Sequence, residues 1–160
     1  MIATRAPAIS TKFRIVDITL AQEALAIRVA KSTFRPCCDN STFYQDCNHG
    51  SALYDLLQLG ASQGLREKDL YREALAFNSF FFEDNYVRTA LYLAVERGVA
   101  WRKVDPKEIM GREFSTLSSW QTIVQAWVDR NPDMIPDNPD LVPRNPGLIP
   151  QPQRDAKCGA

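Results

Sequence analysis

The sequence predicts a mainly α-helical domain, a small orthogonal bundle of about five helices, followed by an extended proline-rich tail. Apolar residues recur at intervals of three and four along most of the chain, as on the buried face of a helix. Glycine, proline and capping residues divide that pattern into segments of helical length. The last thirty residues instead repeat a proline-containing unit that helices do not tolerate.

The N-terminal part divides into an arm, an extended segment and a first helix. Residues 1–12 show no periodicity and are predicted to be a flexible arm. Residues 13–20 alternate loosely and are rich in β-branched residues, which is typical of a short strand. Helix-favouring residues follow from Leu20 to about Lys31, and Pro36 prevents the helix from continuing.

Three longer helices follow the loop at residues 36–50. Ser51 is predicted to cap the second helix, and Gly60 to lie just beyond its end. A third helix is expected over residues 66–81. A fourth is expected to begin near Glu83 and Asp84, because acidic residues suit the first turn of a helix, and to stop at Gly98.

Two capping signals define the remaining helices. Asp105 followed by Pro106 predicts the start of a short helix, because aspartate caps and proline fits the first helical position. This helix should end by Gly111. Ser118 or Ser119 is then predicted to cap a last helix, which ends before Pro132.

The chain therefore divides into a flexible arm (1–12), a helical domain (13–130) that contains a Cys/His loop (36–50), and a tail (131–160). The tail holds three copies of one seven-residue unit, which begin at Asn131, Asn138 and Asn145. Each copy contains two prolines, so an extended chain with turns is expected rather than a coiled coil. Each copy also offers an apolar pair to a partner.

The composition limits the classes of partner. Lys+Arg and Asp+Glu number 19 each, so the chain has no excess positive charge with which to bind nucleic acid. No run approaches the ~20 apolar residues that span a bilayer. No secretory leader is visible, which with four cysteines points to a reducing, cytoplasmic location. Basic and hydroxylated residues near Arg5 leave organelle import as an alternative.

Three cysteines and the one histidine of the chain lie within thirteen residues, as Cys37, Cys38, Cys47 and His49. Thiolate and imidazole are the ligands used by zinc and, with thiolate predominating, by iron–sulfur clusters. Three sulfurs and one nitrogen would complete a tetrahedral zinc shell. The segment therefore predicts a metal site that holds zinc or an iron–sulfur cluster.

The spacing leaves the ligand set open. Structural zinc sites usually separate paired ligands by two to four residues, whereas Cys37 and Cys38 are adjacent. Adjacent side chains diverge, so a single metal needs an irregular turn to bind both. A three-ligand site with only one of these cysteines is equally compatible, completed by Asp46, Asp39 or water.

The segment from Cys38 to Cys47 resembles the cluster loop of the CDGSH-type iron–sulfur proteins. In both, a serine lies three residues after the second cysteine, here Ser41, and eight residues separate the second and third cysteines. The resemblance implies an iron–sulfur cluster. The family differs in having one residue between its first two cysteines, a histidine further downstream and a fold built on β structure.

Three functions remain in competition. The first is a metal-binding regulatory or assembly-type protein, not an enzyme, whose helical body and tail contact a larger protein partner. The second is a thiol-dependent redox protein or enzyme that uses Cys47 with His49, because a helix N-terminus lowers the pKa of a nearby thiol. The third is an adaptor with inert cysteines, in which the repeat tail binds the partner.

Overall fold

The structure, a computed structural model, describes residues 16–134 and is built from helices. The helices are α1 (Leu20–Ser32), α2 (Asn48–Ser62), α3 (Glu67–Phe81), α4 (Glu83–Glu96), α5 (Pro106–Ile109), α6 (Arg112–Ser115), α7 (Leu117–Trp120) and α8 (Ala126–Arg130). This confirms the predicted mainly α fold. The proposed N-terminal strand is not present over residues 16–20, and residues 13–15 lie outside the described part.

The first three helices form the main body of the core. Helix α1 packs against α2 and α3, and α5 also packs against α3. Val29, Leu53, Leu57 and Leu70 are almost completely buried between them. Phe114 of α6 closes the core from the C-terminal half. In α2 and α3 the buried residues recur at intervals of three and four, as on one face of a helix.

Helix α1 begins with a capping box. The hydroxyl of Thr19 accepts from the backbone N–H of Gln22, and the Gln22 side chain accepts from the Thr19 backbone N–H. These reciprocal bonds satisfy two amide groups that have no partner inside the helix. The chain therefore enters the helical body at Leu20, the residue expected from the sequence.

The predicted ends of α2 are wrong at both termini. The helix begins at Asn48, and its cap is Cys47, whose sulfur accepts from the Gly50 N–H; the Ser51 hydroxyl instead donates to the Gln45 carbonyl. At the other end the helix passes through Gly60 and continues to Ser62. Gly60 is needed for close packing, because a Cβ there would lie 2.6 Å from Leu70 Cδ2.

The C-terminal helix also begins earlier than predicted. Thr116, rather than Ser118 or Ser119, accepts from the Ser119 N–H and caps α7. A π-helical segment, Gln121–Gln125, joins α7 to α8 without a break. The sequence pattern did not predict the single turn of α6, whereas Asp105 caps α5 as expected.

A buried polar network lies behind the Cys/His loop. The Asn78 amide donates to the Phe34 carbonyl at 2.9 Å and to the Tyr86 hydroxyl at 3.0 Å. Tyr86 is also hydrogen-bonded to the Ser115 hydroxyl at 2.6 Å. Burial raises the pKa of Tyr86 to about 12, so the phenol is neutral in the folded state near pH 7. The network fixes the backbone immediately before Arg35.

Within residues 16–134, no helix is both long and apolar enough to cross a membrane. The predicted arm (1–12) and nearly all of the repeat tail (131–160) lie outside the described residues. Of the tail, only residues 131–134 are described, and Pro132–Met134 form a 3₁₀ turn.

Candidate metal centre

The loop between α1 and α2 is anchored to the body by backbone hydrogen bonds. Phe34 N–H donates to the Met110 carbonyl at 2.9 Å, and Thr42 N–H donates to the Thr33 carbonyl at 2.9 Å. On the far side, Leu117 N–H donates to the Cys38 carbonyl at 3.2 Å. The loop between these anchors therefore has a defined path, although it contains little regular structure.

The loop brings the four predicted ligands together in two overlapping groups. Donor atoms of Cys37, Cys47 and His49 all lie within 4.8 Å of one another. Cys38, Asp46 and Cys47 form a second group within the same limit. The Cys37 sulfur is 3.7 Å from that of Cys47 and 4.0 Å from that of Cys38. These residues lie close enough to bind a metal ion.

Cys47 is common to both groups, and its sulfur accepts two N–H donors. The backbone N–H of Gly50 donates to it at 3.3 Å, and Arg35 Nε donates to it at 3.2 Å. The first bond places the sulfur at the N-terminus of α2, where the helix dipole favours negative charge. The second bond brings the full positive charge of the Arg35 guanidinium next to the sulfur. Both interactions stabilise a thiolate.

Arg35 is a central and unforeseen part of the site. Its side chain is completely buried, and it donates to the Asn40 carbonyl at 3.1 Å and forms an ion pair with Asp46. The Asn40 amide also donates to the Asp46 carboxylate. The buried cation is thus compensated by one carboxylate and by the sulfur of Cys47, as buried charges require.

The three thiols influence one another's ionisation. Hydrogen bonds from Cys37 and then Cys38, together with Arg35, hold the pKa of Cys47 well below its ordinary value. The contact with Cys38 lowers the pKa of Cys37, but its bond to Cys47 and its burial raise it to about 12. Bonds to Cys37 and Cys47 raise the pKa of Cys38. Cys47, whose sulfur accepts from Arg35 and Gly50, is therefore the most readily ionised of the three thiols.

His49 lies in the first turn of α2, two residues after Cys47. Its ring packs against Phe82 with centroids 4.9 Å apart, and against Phe81 at 5.6 Å. Within the described range no hydrogen bond to its ring nitrogens is found. The aromatic contacts thus hold the ring beside the sulfurs while leaving its nitrogens available to an ion.

The two aspartates considered as further ligands have other partners. Asp46 is engaged by Arg35 and Asn40. Asp39 is directed away, because its carboxylate accepts from the Ser118 N–H at 2.8 Å. Cys158 lies outside the described residues. The nearest available donors are therefore the three sulfurs and His49.

Sequence reasoning missed Arg35 and Gly50. A Cβ on Gly50 would lie 2.7 Å from Arg35 Cζ, so only glycine leaves room for the guanidinium. One signal was present: an arginine preceded by Phe34 and followed by Pro36 and two cysteines is an unusual charge in an apolar, thiol-rich stretch. Its burial depends on Asp46, which is eleven residues away along the chain.

No protein-family model, no curated protein and no solved structure matches this chain. The resemblance to the CDGSH-type loop therefore receives no support from a family match. The fold that it implies is also not found, because residues 16–134 are helical and the family is built on β structure.

Proposed function

We propose that this protein binds a single zinc ion, and that the ion joins the Cys/His loop to the first turn of α2. The proposed ligands are Cys37, Cys38, Cys47 and His49. The observation that carries the proposal is that donor atoms of Cys37, Cys47 and His49 lie within 4.8 Å of one another, with 3.7 Å between the sulfurs of Cys37 and Cys47, while the Cys38 sulfur is 4.0 Å from that of Cys37.

The separations between the sulfurs support one tetrahedral ion. With a zinc–sulfur bond of about 2.3 Å, two sulfurs on adjacent corners of a tetrahedron lie about 3.8 Å apart. The distances of 3.7 Å and 4.0 Å from Cys37 Sγ fall on either side of that value. A two-iron cluster needs two pairs of ligands set apart by the width of the cluster, so closely spaced sulfurs favour a single ion.

The charges support the same choice. Three thiolates, a neutral imidazole and a divalent ion leave one negative charge, and the Asp46 carboxylate adds a second; the guanidinium of Arg35 contacts both and compensates one of the two. The Gly50 and Arg35 donors are the kind of N–H groups that orient a ligand sulfur from outside the metal shell. Asp46 then serves as the counterion of Arg35 rather than as a ligand.

Cobalt substitution and zinc competition test the proposal. Reduced, metal-free protein is titrated with Co²⁺, and the visible and near-ultraviolet bands of tetrahedral thiolate coordination are followed. We expect saturation at one ion per chain and displacement of cobalt by zinc. Cys37→Ser, Cys47→Ser and His49→Ala should each weaken zinc binding by at least about 10-fold, measured against a chromogenic chelator.

Cys158→Ser is the matched control, since it removes a thiol of the same chain that is not among the proposed ligands. Its zinc affinity should equal that of the wild type. Asp46→Asn tests the choice of fourth ligand and should affect affinity less than His49→Ala. A protein that gives no thiolate charge-transfer band with Co²⁺, or that is purified with the visible absorption of an iron–sulfur cluster, would refute the zinc site.

A second function is favoured by the environment of Cys47 itself. Its low pKa, the donors Arg35 and Gly50 and its partial exposure are properties of a nucleophilic thiol. In this alternative, Arg35 stabilises the thiolate, and His49 lies within 4.8 Å without a hydrogen bond to the sulfur. Rapid alkylation of Cys47 near pH 7 that persists in the presence of saturating zinc would favour the thiol chemistry.

The larger protein partner, its contact with the helical body and tail, and the cytoplasmic location stay predictions. The adaptor alternative makes a distinct prediction, namely that the protein binds neither Co²⁺ nor zinc at one equivalent. The same titration therefore separates it from the proposed function.

A further inference from the structure

We infer that Cys37 and Cys47 form a reversible disulfide when the protein meets a hydroperoxide, and that this bond expels the ion. The release of the ion rests on the proposed function. The disulfide itself does not, since it depends only on the arrangement of the thiols.

The geometry selects this pair of cysteines. The sulfurs of Cys37 and Cys47 are 3.7 Å apart, which is shorter than the 4.0 Å between those of Cys37 and Cys38. Both residues are only half-buried, so a small peroxide can reach them. Both lie within the Cys/His loop between α1 and α2, and a modest movement of that loop would bring the sulfurs to bonding distance.

Cys38 is less suited to form the disulfide than Cys37 and Cys47. It is 4% exposed. Its backbone is held on both sides, because its N–H donates to the Arg35 carbonyl and its carbonyl accepts from the Leu117 N–H. A disulfide between adjacent cysteines also closes a small ring that includes the peptide bond, which strains the backbone. Cys38 is therefore expected to remain a thiol.

Cys47 is the thiol that meets the peroxide first. Its sulfur is the one that accepts from Arg35 Nε at 3.2 Å and from the Gly50 N–H at 3.3 Å, and such donors stabilise the nucleophilic thiolate. In the first step the Cys47 sulfur attacks one peroxide oxygen and the O–O bond breaks. The alkoxide or hydroxide that leaves takes a proton from solvent, and Cys47 becomes a sulfenic acid.

In the second step the Cys37 sulfur attacks the Cys47 sulfur. The S–O bond breaks, and the departing hydroxide takes the proton of the Cys37 thiol and leaves as water. Overall, two thiols and one hydroperoxide give one disulfide, one alcohol (or water) and one water. Both sulfurs are oxidised and the peroxide is reduced. The disulfide cannot supply two thiolates, so the site loses two of its four proposed ligands.

Mass spectrometry of the full chain tests the inference. Reduced protein, with and without one equivalent of zinc, is treated with hydrogen peroxide, and the remaining thiols are then blocked. We expect the loss of two hydrogens per chain and a peptide linkage between residues 37 and 47. In the zinc-loaded sample, release of zinc to a chromogenic chelator should follow the same time course, and a dithiol reductant should reverse both.

Two variants identify the roles of the thiols. Cys38→Ser should still form the linkage, whereas Cys37→Ser should leave a sulfenic acid on Cys47 that a dimedone probe captures. Circular dichroism verifies that each variant keeps its helices. A linkage between Cys37 and Cys38, crosslinked chains that vanish in Cys158→Ser, or no loss of hydrogens in the wild type would overturn the inference.

The outcomes separate this inference from the proposed function. If the linkage forms in metal-free protein that never binds zinc, the zinc site fails and the disulfide stands. If zinc binds at one equivalent and peroxide produces no linkage between residues 37 and 47, the disulfide fails and the zinc site stands.

Discussion

The guanidinium of Arg35 occupies the space that any side chain at Gly50 would need. A Cβ built on Gly50 lies 2.7 Å from Arg35 Cζ and 2.8 Å from Arg35 Nε. Helix α2 thus approaches the loop most closely at a residue with no side chain, and its first turn contributes an N–H to the Cys47 sulfur there.

Gly50→Ala should destabilise the protein even though alanine is the better helix former. Inside a helix this change normally stabilises by roughly 1 kcal/mol. Here the methyl group would displace Arg35, which is bonded to Cys47 and Asp46. We expect a net loss of about 1–3 kcal/mol in unfolding free energy, measured by urea denaturation with tryptophan fluorescence. Gln58→Ala, at a half-buried position of α2, is the control and should change stability little. A Gly50→Ala protein that is more stable than wild type would contradict the close contact.

Arg35→Met should lower the free energy of unfolding by about 3–5 kcal/mol, because it leaves the Asp46 carboxylate without its buried partner. The Arg35 side chain is 0% exposed and that of Asp46 is 13% exposed, so solvent compensates little. Asp46→Asn alone should also destabilise. The double variant should be less destabilised than the sum of the two single variants, by more than about 1 kcal/mol. Additive losses in the same denaturation experiment would show that the two side chains are not coupled.

Alkaline pH should weaken the fold through Tyr86. Its ordinary pKa is 10.0 and burial raises it to about 12, so the folded state retains a proton that the unfolded chain releases between these values. The contribution of neutral, buried Tyr86 to the free energy of unfolding is complete below pH 10. It declines as the pH rises through 12, and its upper limit is about 3 kcal/mol. Tyr86→Phe removes this contribution. The difference in unfolding free energy between wild type and Tyr86→Phe should therefore shrink between pH 9 and pH 11.5, and a constant difference would contradict the assignment.

Asp39→Ala should loosen the contact between the Cys/His loop and α7, leaving the hydrogen bond from Leu117 N–H to the Cys38 carbonyl in place. The Asp39 carboxylate accepts from the Ser118 N–H at 2.8 Å, and this amide belongs to the first turn of the helix, where it has no partner within the helix. We expect a loss of about 1 kcal/mol and faster hydrogen exchange at Ser118. Asp39→Asn keeps an acceptor oxygen and should retain most of the stability. Equal losses in the two variants would point to charge rather than to this hydrogen bond.

Much of the helical framework could be predicted, because it depends on local signals. The Asp105–Pro106 start of α5 and the stripe along α3 each combine residues a few positions apart. The errors occur where residues far away in the sequence determine the ends of a helix. Ser51 is the better cap by residue type, but the Cys47 sulfur takes that role once Arg35 lies beside it. The end of α2 was misjudged because the reason for Gly60 is Leu70 of another helix.

The candidate site was predictable as a set of donors but not as an arrangement. The residue types Cys37, Cys38, Cys47 and His49 are visible in the sequence, and the structure brings them together. The sequence does not show how the buried charge of Arg35 is compensated. A completely buried arginine is acceptable only when its carboxylate, carbonyl and sulfur partners are all in place. Such a combination depends on the fold of the whole loop.

Because the cap of α2 is a sulfur atom, the end of this helix is coupled to whatever chemistry that atom undergoes. A hydroxyl or carboxylate cap is inert, whereas Cys47 can be bound by an ion, alkylated or oxidised. Each of these events draws electron density away from the bond to the Gly50 N–H. The first turn of α2 carries His49 against Phe82, so fraying there would spread from one atom to an aromatic contact at the junction of α3 and α4.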